Sequence, residues 1–137
     1  LVVETGNGTM VNSNYTARRL IDDLGARDVL QVLWDPGNNC WCHERAFPEG
    51  YEEVKGGYLG HVHIKDVLVD TPRATLEVRR MGEGQLAPFF APIAQALRQD
   101  GYDGVVSFES VYHTGDGDFE AGFRLCIDRF KEIFGDP

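Results

Sequence analysis

The chain has 137 residues, 42% of them hydrophobic, which is long enough for one compact domain and short for two. Its formal net charge of −9, from 13 Lys and Arg against 22 Asp and Glu, argues against nucleic acid or an anionic membrane as a partner, because both are bound mainly through clustered cations. No apolar run approaches the ~18 residues that cross a bilayer, no leader peptide is apparent and three cysteines form no disulfide framework, so we expect a cytoplasmic protein.

Strands that end in acidic residues alternate with helices in the first half of the chain. The apolar run over residues 1–4 predicts a strand whose last residue is acidic, and Ser13 is expected to cap a helix over 14–24. The near-continuous apolar run over 29–34 is typical of a parallel strand covered on both faces, and Asp35 follows it directly. Irregular chain over 39–47 and a short helix over 48–54 are expected next.

Residues 60–66 are predicted to form a strand with one polar face. Alternate side chains of a strand point the same way, so His61, His63 and Lys65 share a face. Two imidazoles and an ammonium group lose hydration in a packed interior, and they therefore need partners, a metal ion or water. This strand is expected to border the functional site.

The second half of the chain is predicted to add one strand and two helices. A polar excursion over 67–80 precedes a helix that reaches residue 99, the run 105–109 predicts a strand ending at Glu109, and a closing helix is expected over 118–134. Both helices carry apolar stripes predicted to be buried: Phe89, Phe90, Ile93 and Leu97 in the first, and Phe119, Phe123, Cys126 or Ile127, Phe130 and Phe134 in the second.

This alternation predicts an α/β fold with a parallel sheet and right-handed crossovers. The strands of such a sheet end on one side, where parallel α/β folds place their sites, and four residues are expected at that rim: Glu4, Asp35, His63 and Glu109. Four βα units in a single domain over 1–137 make half of a TIM (β/α)8 barrel, which typically takes about 250 residues. A missing N-terminal half, or a homodimer formed through the two unpaired sheet edges, is expected to complete the barrel.

The four rim residues combine carboxylate oxygen with imidazole nitrogen. Such a set suits a catalytic Mn²⁺, Mg²⁺ or Co²⁺, with Zn²⁺ as a further candidate, rather than a thiolate-bound structural zinc. The alternative is that strand-end acids cap neighbouring helices or pair with Arg and Lys, as surface carboxylates usually do. Acids at three strand ends, with a histidine inside the remaining strand, favour the metal site.

Five motifs follow one another along the chain: Glu4 after an apolar strand, Trp34-Asp35-Pro36-Gly37-Asn38, His61-Val62-His63-Ile64-Lys65-Asp66, Met81-Gly82-Glu83-Gly84, and Gly101-Tyr102-Asp103-Gly104 leading to Glu109. In this order they resemble the xylose isomerase-like TIM barrels of sugar phosphate isomerases and epimerases. That family includes ketose epimerases, hydroxypyruvate isomerases, inosose dehydratases and, more distantly, apurinic endonucleases. The resemblance runs along nearly the whole chain and covers the C-terminal half of the family's barrel.

The resemblance implies that the four rim residues bind a divalent metal ion, and that Glu4 and Glu109 also exchange protons with the carbon of a small sugar or sugar phosphate. In such an isomerisation or epimerisation, the metal holds the carbonyl and adjacent hydroxyl oxygens, which acidifies the C–H bond between them and stabilises the enediolate. A carboxylate on each face then removes and returns the proton. Lys65 is a candidate to hold a substrate oxygen, or else it pairs with a neighbouring acid.

Two positions depart from the ketose epimerase pattern. Those enzymes usually carry a histidine and an arginine where this chain has Asn38 and Val69, and Asn38 is the candidate substrate contact at its position. The apurinic endonucleases need additional histidines and an acid just before the Gly-Glu-Gly turn, where this chain has Arg79 and Arg80, so a nuclease is not expected. Two alternatives stay open: a keto-cyclitol dehydratase at the same site, and a non-catalytic barrel fragment.

Residues outside the rim are candidates for the walls of the pocket. Trp41 is expected to form a wall, since apolar rings commonly line ligand sites. Arg73 is a candidate contact for a substrate phosphate, although a solvated loop arginine fits its position as well. The sequence Cys40-Trp41-Cys42-His43 lacks a second cysteine pair, and a small apolar cluster is the better interpretation than a metal or redox site.

Overall fold

The computed structural model describes residues 1–135; residues 136 and 137 of the predicted domain lie outside the described part. The strands are β1 (Val2–Glu4), β2 (Gln31–Trp34), β3 (Leu59–Ile64), β4 (Asp66–Asp70), β5 (Thr75–Arg79) and β6 (Val105–Phe108). The helices are α1 (Asn14–Leu24), α2 (Pro36–Trp41), α3 (Tyr51–Val54), α4 (Ala87–Gln99) and α5 (Phe119–Phe134), with an irregular π-helical turn at Ala46–Gly50 and a 3₁₀ turn at Thr71–Arg73.

The main sheet is parallel throughout. Its strand order is β1-β2-β3-β6, and each neighbouring pair runs in the same direction. Helices connect successive strands of this sheet, which confirms the predicted parallel α/β class. Among residues 1–135, β1 and β6 pair with no further strand, so both edges of the sheet are open.

Helix α1 begins and ends where the sequence predicts. The Ser13 side chain accepts the N–H of Thr16 at 3.1 Å, and the Thr16 hydroxyl oxygen accepts the N–H of Ser13 at 3.0 Å, which forms a capping box. Gly25 ends the helix with a φ of 60°, a conformation that glycine adopts without steric cost.

Helix α2 lies partly where irregular chain was predicted, and that prediction is wrong over residues 39–41. The helix begins directly after Asp35, whose Oδ1 accepts the N–H groups of Gly37 at 2.8 Å and Asn38 at 3.1 Å. Pro36 takes the first helical position, where its fixed φ suits the helix and its missing N–H costs nothing. This Asp-Pro start outweighs the weak helix propensity of the Gly and Asn residues that follow.

A β-hairpin follows β3, and the sequence did not predict it. The strand predicted over 60–66 ends at Ile64, Lys65 leaves the sheet, and Asp66 opens the antiparallel pair β4–β5. The polar excursion predicted over 67–80 is therefore wrong. A turn of sequence Asp-Thr-Pro-Arg-Ala joins two β-prone runs, which is a hairpin pattern hidden by the charged residues around it.

The Asp66 carboxylate anchors this hairpin to the loop that precedes α4. Asp66 is 1% exposed, and its oxygens accept the N–H groups of Gly82 at 3.0 Å, Gly84 at 2.8 Å and Leu86 at 3.2 Å. A Cβ atom added at Gly84 would lie 2.2 Å from Asp66 Oδ1, so the close approach requires glycine. The Gly-Glu-Gly motif therefore binds a carboxylate of its own chain.

The hydrophobic core lies between the sheet and its helices. The sheet contributes Val32, Trp34, Val62 and Ile64, and the helices contribute Ile21, Phe90, Ile93, Leu97 and Cys126. The predicted stripes are wrong at Phe89, Phe119 and Phe123, which are 38%, 51% and 38% exposed. Phe89 and Phe119 lie in the first turns of their helices, where the Phe89 ring is tilted against that of Phe47 and the Phe119 ring meets that of His113 edge to face. None of the helices described over 1–135 has the length and apolar character needed to span a bilayer.

Candidate metal centre

Three of the predicted rim residues come together at the carboxyl ends of β1, β2 and β3. Glu4 is the last residue of β1, Asp35 follows β2, and His63 lies in β3. Parallel pairing places these strand ends side by side, and one ligand atom from each residue lies within 4.8 Å of the others. We call this group the ligand cluster. Its oxygen and nitrogen atoms are close enough to contact a single cation.

Asp35 is fully buried and uses its two carboxylate oxygens differently. Oδ1 caps α2, whereas Oδ2 accepts a hydrogen bond from Lys65 Nζ at 2.6 Å. Burial raises the pKa of Asp35 to about 6, and the Lys65 ammonium opposes that rise. The side chain is held in place from both sides.

His63 carries a buried nitrogen without a hydrogen-bond partner. Its Nδ1 has no partner among the described residues, and the nearest acidic atom, Glu4 Oε1, lies 3.7 Å away. A buried ring nitrogen usually has a hydrogen-bond partner or a metal ion. His61, which precedes it on the same face, differs: its Nε2 lies 2.8 Å from Ser107 Oγ, as expected of a hydrogen-bonded residue in the sheet. The donor set and the unpaired Nδ1 therefore fit a divalent cation.

Glu109 lies at the same rim but is held through Lys65. Its N–H donates to Ile64 O at 2.9 Å, which continues the pairing of β3 with β6, and its carboxylate contacts Lys65 Nζ at 2.5 Å. Burial acts to raise the pKa of Glu109, but the hydrogen bond and charge of Lys65 more than offset this and leave the pKa below its usual value. Lys65 thus bridges Asp35 and Glu109, and Glu109 is not part of the ligand cluster.

The same two carboxylates determine the protonation of Lys65. Its side chain is 11% exposed, and burial alone would lower its pKa. The charges and hydrogen bonds of Asp35 and Glu109 more than offset burial, so the pKa of Lys65 is raised. The ammonium therefore stays charged within a group of acids.

A cavity of about 430 Å³ borders the ligand cluster at Glu4 and is also lined by Lys65; we call it the site cavity. Asn38 borders it and donates from Nδ2 to Glu4 Oε1 at 3.3 Å and to the Thr5 carbonyl at 3.0 Å. Its apolar walls are Trp41, Leu76, Val78 and Val111. The structure thus brings Asn38, Lys65 and Trp41 to one cavity.

Some site features differ from the expectations drawn from the sequence. Leu76 and Val78 of the hairpin were missed as pocket walls, although their alternation with Glu77 and Arg79 could have indicated a strand with one apolar face. Arg73 is not brought to the site cavity: its side chain is 82% exposed on the hairpin turn and pairs with Asp70 at 3.3 Å.

Comparisons with known proteins identify the fold. The family model described as xylose isomerase-like TIM barrel matches residues 1–132. A D-psicose 3-epimerase crystallised with D-fructose is 19% identical, with a TM-score of 0.66 over 99% of this chain and 50% of the other. The D-psicose 3-epimerase of Clostridium cellulolyticum H10, crystallised with D-tagatose, is 16% identical, with a TM-score of 0.67 over 98% of this chain and 49% of the other.

A third solved structure is a xylose isomerase-like TIM barrel protein from Mycobacterium smegmatis in complex with magnesium. It is 21% identical, with a TM-score of 0.68 over 98% of this chain and 44% of the other. No match was found among curated proteins. The chain spans about half the length of these structures, which confirms the prediction of half a TIM barrel.

Proposed function

This chain belongs to the xylose isomerase-like TIM barrel family, and from its site we propose that it serves in a divalent-metal-dependent sugar isomerase or epimerase. The observation that carries the proposal is the ligand cluster, in which ligand atoms of Glu4, Asp35 and His63 lie within 4.8 Å of one another and the buried His63 Nδ1 has no hydrogen-bond partner in the part of the chain that the structure describes. Titratable groups gathered at the strand ends of a parallel α/β fold mark its usual catalytic position.

The proposed ion is Mn²⁺, Mg²⁺ or Co²⁺, with Zn²⁺ as the further candidate. Two carboxylates and one imidazole would hold it, with Glu109 as the proposed fourth ligand. When bound, such an ion polarises the carbonyl group of a ketose and acidifies the adjacent C–H bond. The magnesium complex of the M. smegmatis protein supports this choice of ion.

Glu4 and Glu109 are the proposed proton-transfer groups. Both lie at the carboxyl ends of strands in the sheet: Glu4 ends β1 and lines the site cavity, and Glu109 comes directly after β6. A carboxylate at each side of a bound sugar would take a proton from one face of the carbon and return it to the same or the other face. The outcome would be epimerisation or isomerisation.

Asn38, Lys65 and Trp41 are the proposed substrate contacts. Asn38 can donate to a hydroxyl, the Lys65 ammonium can hold an oxygen that gains negative charge, and the Trp41 indole can pack on the apolar face of a sugar ring. The ketoses in the two epimerase structures support a sugar as the ligand. A phosphate contact by Arg73 finds no support in its exposed position.

A non-catalytic barrel fragment is the second candidate, because the chain spans about half the length of the epimerases. An active assembly would need further strands at both open edges, and we propose a homodimer through β1 and β6. Metal analysis together with the mass in solution separates the candidates. Tight metal binding in a dimer supports an active assembly, and a monomer with weak metal binding supports the fragment.

The proposed function is tested by solvent-deuterium uptake into a ketose at the carbon next to its carbonyl group. The Mn²⁺-loaded chain is expected to catalyse this exchange, and Glu109→Gln should lower the rate by about 10²-fold or more because the variant lacks the proton-accepting carboxylate. Glu109→Gln should also weaken metal binding without unfolding the chain. Loss of the hydroxyl group instead of simple exchange would assign a dehydratase.

Glu120→Gln is the matched control, since Glu120 is exposed on α5, where it pairs with Arg124. It should exchange deuterium at the wild-type rate. Equal rates and equal metal affinity in Glu109→Gln and Glu120→Gln would remove Glu109 from its proposed role.

A further inference from the structure

A second cavity of about 350 Å³ adjoins the site cavity, and we call it the side cavity. Both cavities are lined by Asn7 and Trp41, so they meet at these two residues. The hairpin also connects them: Val69 of β4 lines the side cavity, and Leu76, its direct partner on β5, lines the site cavity. The two cavities therefore form one cleft along the inner face of the hairpin.

The lining of the side cavity is almost free of charge. Among the described residues it consists of Asn7, Trp41, His43, Val69, Thr71, Ala74 and Thr75. Neither a carboxylate nor a lysine or arginine belongs to this lining, and the neighbouring Arg73 turns outward to Asp70. A phosphate or carboxylate group would find no lysine or arginine in this lining, so the lining favours a neutral ligand.

The same residues combine an apolar surface with short polar groups. The Trp41 indole, Val69 and Ala74 offer surface for C–H groups, while Asn7, Thr71 and Thr75 offer an amide and two hydroxyls. Small-molecule sites have this composition, with apolar and aromatic walls and a few polar groups that fix orientation. A neutral sugar ring presents both kinds of surface and matches it.

A short helix connects the side cavity to the ligand cluster. Asp35 caps α2 and Trp41 is the last residue of that helix, so one short helix carries both. Six residues of helix correspond to roughly 9 Å along the axis. Because Trp41 also lines both cavities, a group bound beside it would be a neighbour of a sugar in the site cavity.

We propose that the side cavity is a subsite for a second, neutral sugar unit, and that the substrate is a ketose carrying a glycosyl group rather than a free monosaccharide or a sugar phosphate. This inference rests on the proposed function, because it takes the site cavity to hold the reacting sugar. It assigns to Trp41 the boundary between the two sugar rings.

NMR titration of the Mg²⁺-loaded chain with D-fructose, the disaccharide isomaltulose (a glucosyl-fructose) and fructose 6-phosphate tests the proposal. Isomaltulose should bind with a Kd about tenfold lower than that of fructose, which corresponds to ~1.4 kcal/mol. Fructose 6-phosphate should bind no more tightly than fructose. The variant Val69→Phe, which fills the side cavity, should abolish the advantage of the disaccharide.

Leu68→Phe is the matched control, because Leu68 is 39% exposed and, as the adjacent strand residue, points to the opposite face of the hairpin. It should keep the tenfold preference. Trp41→Ala provides a second variant that should lose the preference if Val69→Phe does not fold, as judged by circular dichroism.

The outcomes separate the subsite from the proposed function. If fructose binds and isomaltulose binds no more tightly, the subsite is overturned, but the proposed sugar site is not. A gain that survives in Val69→Phe and Trp41→Ala would also overturn the subsite. Binding of none of the three sugars would overturn the subsite and the proposed function together.

Discussion

Asp35 links the start of a helix to the candidate metal centre. One of its oxygens caps α2 and the other contacts Lys65, which also contacts Glu109. Lys65 therefore places a positive charge among the acids that are proposed to bind a cation. A metal ion that uses Asp35 Oδ2 has to share or displace this ammonium, so Lys65 should weaken metal binding while it stabilises the metal-free chain.

The variant Lys65→Met separates these two effects. Removal of the ammonium should raise the affinity for Mn²⁺ by about tenfold or more, because like charges a few ångströms apart repel by several kcal/mol at an effective dielectric constant near 20. The same variant should lower the free energy of unfolding of the metal-free chain by about 3–5 kcal/mol, since it leaves buried carboxylates unpaired. Calorimetric titration and urea unfolding measure the two quantities.

Lys55→Met is the control for this variant. Lys55 is a surface residue that pairs with Glu52 at 2.7 Å, and it precedes β3, whereas the rim lies at the carboxyl end of that strand. Its loss should change neither quantity by more than a few tenths of a kcal/mol. A Lys65→Met chain with unchanged or weaker metal affinity would contradict the competition between Lys65 and the metal.

The sequence predicted the residues of the ligand cluster but not all of their contacts. Glu4, Asp35 and His63 meet because parallel strands end on one side, which the alternation of strands and helices already implies. The Lys65 bridge depends on β3 ending at Ile64, and a continuous strand was expected there. The exposure of Arg73 depends on a hairpin turn whose presence was not predicted.

At the scale of elements, the β4–β5 hairpin determines the shape of the cleft. Its inner face supplies walls to both cavities through Val69, Leu76 and Val78. The Asp66 carboxylate fixes its base by accepting backbone N–H groups from the loop before α4. This anchor is buried, so changes at the loop should affect the stability of the whole chain.

Substitution of Gly84 tests this anchor. Gly84→Ala would place a Cβ atom 2.2 Å from Asp66 Oδ1 and 2.6 Å from the Val67 carbonyl oxygen, neither of which can move without breaking hydrogen bonds. We expect the free energy of unfolding, measured in urea, to fall by about 2–4 kcal/mol. Gly6→Ala is the control, because its Cβ would meet no atom nearer than 3.9 Å. Equal stability of the two variants would refute the anchoring role.

Periodicity predicted the regular elements better than the short ones. The parallel strands and α1 follow from apolar runs and a capping box. The hairpin was missed because its strands are five residues long and carry charges on one face, which resembles a polar loop. Phe89, Phe119 and Phe123 were placed in the core because spacing alone does not reveal where the sheet ends.

At the scale of the whole molecule, the chain is half of a barrel with two open edges. Val2 and Val105 lie on the edge strands and are 40% and 61% exposed. Barrels normally have no such edges, since each strand pairs with two neighbours. A second copy of the chain would cover both edges and would add walls to the cleft from the opposite side.

The proposed function depends on metal binding by the ligand cluster. Calorimetric titration with Mn²⁺ should find one site per wild-type chain. The affinity should be at least about tenfold lower in His63→Ala, because that variant lacks the buried Nδ1. The affinity should not change in the control His113→Ala, whose ring lies in an exposed loop. A wild-type chain that binds no Mn²⁺, or a His63→Ala chain that binds it as tightly as the wild type, would contradict the account.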